Sequence, residues 1–98
     1  MNFRLSGDNR FTHWCPGCEV THTVPVNPSG QIGNGWDYTC IDGKPTLAPS
    51  LKHGGYSSKG RPCECHYFIR DGKIQYLSDC NHSYANQTID LPDIPVGE

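Results

Sequence analysis

The sequence lacks any apolar run long enough to span a membrane, and its opening stretch, MNFRLSGDNRF, has no hydrophobic segment of the kind a signal peptide needs. No membrane partner is expected, and the chain reads as a cytoplasmic protein whose thiols stay reduced. Basic runs are missing too. Eight Lys and Arg stand against ten Asp and Glu, for a net charge of −2, so no concentrated face is on hand to neutralise phosphates. Nucleic acid is thereby disfavoured as a partner, although Arg61, Arg70 and Lys73 could form a local patch. Apolar residues do not recur at helical spacing over any long stretch, which excludes a helical bundle. Internal repeats and low-complexity tracts are also absent. Only 35% of the 98 residues are hydrophobic, so one domain, spanning residues 1–98, has a modest core and needs an additional staple.

The six cysteines can provide that staple. In Cys15-Pro16-Gly17-Cys18, two sulfurs three positions apart flank a tight turn, which is half of a tetrahedral metal shell. Gly17 could take a positive φ there and let backbone N–H groups face the sulfurs. The remaining ligands must come from Cys40, Cys63, Cys65, His66, Cys80 and His82. A thioredoxin-like redox role for the motif would need a helix after it, and Glu19-Val20-Thr21-His22-Thr23-Val24-Pro25 is β-branched and then broken by proline.

Eleven Gly and eight Pro cut the chain into short pieces, and the fold class expected is all-β: small, turn-rich, zinc-ribbon-like hairpins around one structural metal. Residues 11–14 and 19–26 should pair across the cysteine turn. Asn27-Pro28-Ser29-Gly30, Asn34-Gly35 and Asp42-Gly43 read as turns, with a strand over 36–41. Pro45 and Pro49 argue that 45–51 is an extended loop rather than a central strand. Residues 54–62 read as a mobile loop, 81–86 as one helical turn, 87–91 as a last strand and 92–98 as a C-terminal tail.

Asp71-Gly72 between two aromatic and β-branched runs signals a type I′ hairpin. A two-residue turn pairs Arg70 with Lys73, Phe68 with Gln75 and His66 with Leu77. Alternation then puts Cys63, Cys65, Tyr67 and Ile69 with Ile74, Tyr76 and Cys80 on one face, and His66, Phe68, Gln75, Leu77 and Asp79 on the other. The metal set expected is Zn²⁺ on Cys15, Cys18, Cys65 and Cys80, with Cys63, His66 and His82 as alternates. Cys40, beside Trp36 and Tyr38, is expected to be a buried small hydrophobe.

The stretches Trp14-Cys15-Pro16-Gly17-Cys18 with His22, then 44–51, then 65–82 and 87–92 together resemble a family of small phage and prophage proteins often labelled "ammonia monooxygenase". The resemblance implies a phage or prophage origin and action inside a bacterial cytoplasm, and it supplies no mechanism. A monooxygenase gains no support from the residues, because a thiolate-rich ligand set favours zinc over an oxygen-activating metal.

The leading functional expectation is a non-enzymatic, zinc-stabilised accessory protein that binds a host or phage protein. The alternative is a small metal-dependent hydrolase or nucleotide-binding protein using His66, Asp79 and His82, with His22 as a further member and the hydroxyls of Thr46 and Ser50 nearby. A nucleic-acid-binding zinc ribbon comes third. In the hairpin register His66 and Asp79 share the face opposite the cysteines, so removing either should spare the metal and the fold while abolishing activity.

Overall fold

The computed structural model describes residues 2–28, 33 and 35–98. Its strands are β1 (Arg4–Leu5), β2 (Arg10–Cys15), β3 (Val20–Pro28), β4 (Trp36–Ile41), β5 (Lys44–Tyr56), β6 (Pro62–Arg70), β7 (Lys73–Tyr76) and β8 (Thr88–Asp90). Among the described residues there is no helix, so the protein is a small all-β fold. Strands adjacent in sequence are adjacent in one eight-stranded sheet. All pairs are antiparallel except β3 and β4, which run parallel. No helix is long and apolar enough to cross a membrane among these residues.

The β6–β7 hairpin has the register its turn dictates: Arg70 pairs with Lys73, Phe68 with Gln75 and Tyr67 with Tyr76. Asp71 and Gly72 both sit at positive φ (50° and 74°), as a type I′ turn requires. Burial alternates along β6, so Cys63, Cys65, Tyr67 and Ile69 point into the core and His66 and Phe68 point to the outer face. Phe11, Val24, Val26, Leu47, Leu51, Ile74, Tyr76 and Leu91 complete the core.

Other elements differ from expectation. The 45–51 segment lies within β5, a central strand between β4 and β6. Its two prolines are accommodated because Pro45 is the second residue of the strand and Pro49 falls in a register shift, where Leu47 pairs with Ile69 but Leu51 pairs with Tyr67. Gly54, Gly55 and Tyr56 extend β5 and pair with Glu64, Cys63 and Pro62. Residues 81–86 form turns rather than a helical turn, closed by Ala85 N–H to His82 O (3.2 Å) and Gln87 N–H to Tyr84 O (3.0 Å). Cys40 is exposed rather than buried: the pairing of β4 with β3 ends at Tyr38, and Cys40 and Ile41 beyond it face solvent. The turn residues Ser29, Gly30 and Asn34 lie outside the described residues.

Candidate active site and metal centre

The outer face of β5 and β6 brings three side chains into one line. His66 Nδ1 lies 2.9 Å and 3.1 Å from the two carboxylate oxygens of Asp79. Its other ring nitrogen, Nε2, lies 3.2 Å from Ser50 Oγ. With Nδ1–H donating to the carboxylate, Nε2 is left as the acceptor for the serine hydroxyl. The His66 bond holds the Asp79 carboxyl below its usual range.

Each member is fixed by its element. Ser50 stands in the register shift of β5, its carbonyl accepting the Trp36 indole N–H at 3.1 Å and its neighbour Leu51 fully buried. His66 is held through its backbone: its carbonyl accepts the Leu77 N–H (2.9 Å) and lies 3.1 Å from Cys80 Sγ, while its N–H donates to that same sulfur at 3.2 Å. Asp79 immediately precedes Cys80 and is thereby drawn over the imidazole. A cleft of about 450 Å³ opens beside the pair, lined among others by Gln75, Leu77, Asn86 and Thr88. The arrangement has the parts of an activated nucleophile: a hydroxyl, a base in reach of it, and a carboxylate that fixes the base's tautomer.

The reverse face carries a second cluster. Cys15, Cys18, Cys65 and His82 each offer a ligand atom, and these atoms all lie within 4.8 Å of one another. Cys15 and Cys65 sulfurs are 3.7 Å apart, close to the ~3.8 Å edge of a tetrahedron with 2.3 Å zinc–sulfur bonds. His82 Nε2 approaches Cys65 Sγ at 3.5 Å. The Cys65 thiol bonds to Cys15 and holds it below the ordinary thiol range, which pushes Cys65 itself up. Cys18 N–H donates to Cys15 Sγ at 3.4 Å. Within this knuckle the residue at positive φ is Glu19 (56°), whereas Gly17 is required by close approach: a Cβ there would stand 2.3 Å from His82 Nδ1. Cys18 is also disulfide-bonded to Cys63.

Adjacent residues thus point to opposite sides, Cys65 to the cysteine cluster and His66 to the serine. Residues 2–77, more than half of the chain, match the family described as bacterial ubiquitination-like system serine protease (BubE). The chain belongs to the BubE family. Curated proteins and solved structures yield no match.

Membership in BubE overturns several expectations. The resemblance to the phage family labelled "ammonia monooxygenase" does not stand, and the phage or prophage origin goes with it. A non-enzymatic accessory protein is likewise replaced by a family named for protease activity. The BubE match includes Ser50 and His66, with Asp79 just beyond its end.

The sequence-derived candidates divide between the two faces of this BubE fold. His66 and Asp79 meet as the hairpin register requires. His82 turns instead to Cys65, and His22 stacks on His53 with ring centroids 4.2 Å apart, on the core side with His13 and Tyr67. The His22 Nε2 atom is buried without a hydrogen-bond partner among the described residues. Cys80 binds the backbone of His66, and the Thr46 hydroxyl accepts the Asp71 N–H at 2.9 Å. Sequence reasoning noted the Ser50 hydroxyl without pairing it to His66. The missing signal was the β5 register shift, which no local pattern encodes.

Proposed function

We propose that this chain is a serine hydrolase acting on a polypeptide bond, with Ser50 as nucleophile, His66 as general base and Asp79 as the carboxylate that orients it. The observation that carries the reading is the 3.2 Å approach of Ser50 Oγ to an imidazole whose other nitrogen is bonded to Asp79. Family membership supports it. In the reaction, His66 takes the serine proton as Oγ attacks the carbonyl carbon, and Asp79 stabilises the imidazolium that forms. His66 then gives that proton to the leaving amine, and water releases the acyl group from Ser50 by the same acid–base route. The family's description supports a substrate that belongs to a bacterial ubiquitination-like system, and action in the bacterial cytoplasm is part of the same proposal.

A zinc ion on Cys15, Cys18, Cys65 and His82 fits the donor set and the sulfur spacing. It would occupy a closed, four-ligand site with a structural role, tying the knuckle to β6 and to the loop that carries Asp79. His82 stands here in place of Cys80, which is engaged with His66. The ion plays no part in bond cleavage.

The test is labelling with a fluorophosphonate, which reacts with activated serines. Ser50 should be the modified residue, and Ser50→Ala should remain folded and metal-loaded while losing hydrolysis by on the order of 10⁴-fold or more. Hydrolysis undiminished in Ser50→Ala would refute the assignment.

A further inference from the structure

Cys18 belongs to two arrangements that cannot coexist. It is one of the four clustered donors, and it is the disulfide partner of Cys63. A metal needs it as a thiolate, whereas the disulfide removes that charge. Cys63 lies two residues before Cys65 on the same inward face of β6, so Cys18 meets both from one position: Cys18 and Cys63 have Cα atoms 5.9 Å apart. Both links cross the same gap, from the β2–β3 knuckle to β6. With the disulfide formed, the serine, histidine and aspartate of the opposite, outer face are already assembled.

We propose that Cys18 exchanges one staple for the other: in the reduced protein it binds zinc, and on oxidation it pairs with Cys63, releasing the ion while the fold and the outer-face site persist. The inference rests on the metal centre proposed above. The oxidant is hydrogen peroxide. Cys63, 6% exposed against 1% for Cys18, borders a cleft of about 200 Å³ beside Gly17, Arg61 and His82 through which a small peroxide can enter. Its thiolate attacks one peroxide oxygen, the O–O bond breaks and hydroxide leaves, giving a sulfenic acid. Cys18 then leaves the metal, its sulfur bonds to that of Cys63, and a second hydroxide departs. Two electrons pass from the sulfurs to the peroxide. The proton of the Cys63 thiol and one from solvent convert the two hydroxides to water, and the ion passes to solvent.

Zinc-loaded full-length protein is treated with hydrogen peroxide, and zinc release, peptide mass and melting temperature are followed. About one ion per chain should be released, together with a Cys18–Cys63 cross-linked peptide two hydrogens lighter than the free pair. Oxidised wild type should then melt cooperatively in the presence of a strong chelator, whereas reduced wild type should not. Cys63→Ser should bind zinc normally when reduced and, after peroxide and chelator, lose its cooperative transition. Formation of the cross-link with zinc retained, or a Cys63→Ser protein that still melts cooperatively after that treatment, would overturn the inference. Reduced wild type that binds no zinc at all would overturn the metal centre itself.

Discussion

Asp79 faces solvent and still meets His66 through both carboxylate oxygens. Its value at this scale is orientation, since it dictates which imidazole nitrogen carries the proton. Replacing it with Asn keeps the shape, but the amide can donate to Nδ1 and leave the proton on Nε2, where it blocks the Ser50 hydroxyl. Asp79→Asn should therefore lower kcat by roughly 10³–10⁴-fold, with zinc content and melting temperature near wild type because the carboxylate is half exposed. Steady-state kinetics beside metal analysis checks this. A fall in zinc content equal to the loss of activity would mean that Asp79 serves the loop rather than the imidazole.

The knuckle between β2 and β3 works as an element because its chain is thin at one point. Gly17 lets the His82 ring come within the space a methyl group would fill, with the nearest ring atoms 2.3 to 2.6 Å from an ideal Cβ. Backbone freedom is not the reason for the glycine, since the left-handed position is taken by Glu19. Gly17→Ala should push His82 out of the cluster and weaken zinc binding by roughly 10–100-fold, the loss typical when a ligand is misoriented. A competition titration against a chromogenic chelator measures it. Unchanged affinity would show that His82 is not a ligand. On the other side, the shift between Leu47 and Leu51 brings Ser50 to His66 and lets a strand with two prolines stay central.

At the scale of the whole molecule, the sheet curls around a polar pocket of imidazoles as well as an apolar core. His13 is fully buried and bonds to the Tyr67 hydroxyl at 2.7 Å, and His53 reaches the same hydroxyl at 2.9 Å. Burial lowers the pKa of His13 to about 3 and that of His53 to about 4. In the unfolded chain both take up protons near pH 6.5, so the unfolded state binds more protons throughout the interval below that value. Stability is thus fully present above about pH 6.5 and is lost as the pH falls towards the folded values, by up to ~1.4 kcal/mol per pH unit for a fully buried imidazole such as His13. Urea unfolding between pH 7 and 5 should show the decline. The decline should be shallower in His53→Phe, because that variant has one fewer imidazole held neutral by the fold. Equal slopes would mean that His53 is not held neutral by the fold.

Much of this was legible in the residues alone. Period-2 alternation around Asp71-Gly72 determined the β6–β7 register, because a two-residue turn leaves one pairing and a pleated strand leaves two faces. That put His66 beside Asp79 and Cys65 on the opposite side. The cysteine spacing likewise marked two of the four clustered donors, Cys15 and Cys18, since their geometry lies within four residues. Three further features were decided only when distant strands met. Ser50 reaches His66, sixteen positions away, through an irregular register between β5 and β6, and no local pattern encodes an irregularity of pairing. His82 rather than Cys80 enters the cluster because of how the turns at 81–86 close, and Gly17 admits its ring. Cys40 is exposed although its partner Pro45 is buried, because the pairing of β4 with β3 ends at Tyr38, a boundary set by how far the neighbouring strand extends rather than by anything in Trp36–Ile41 itself.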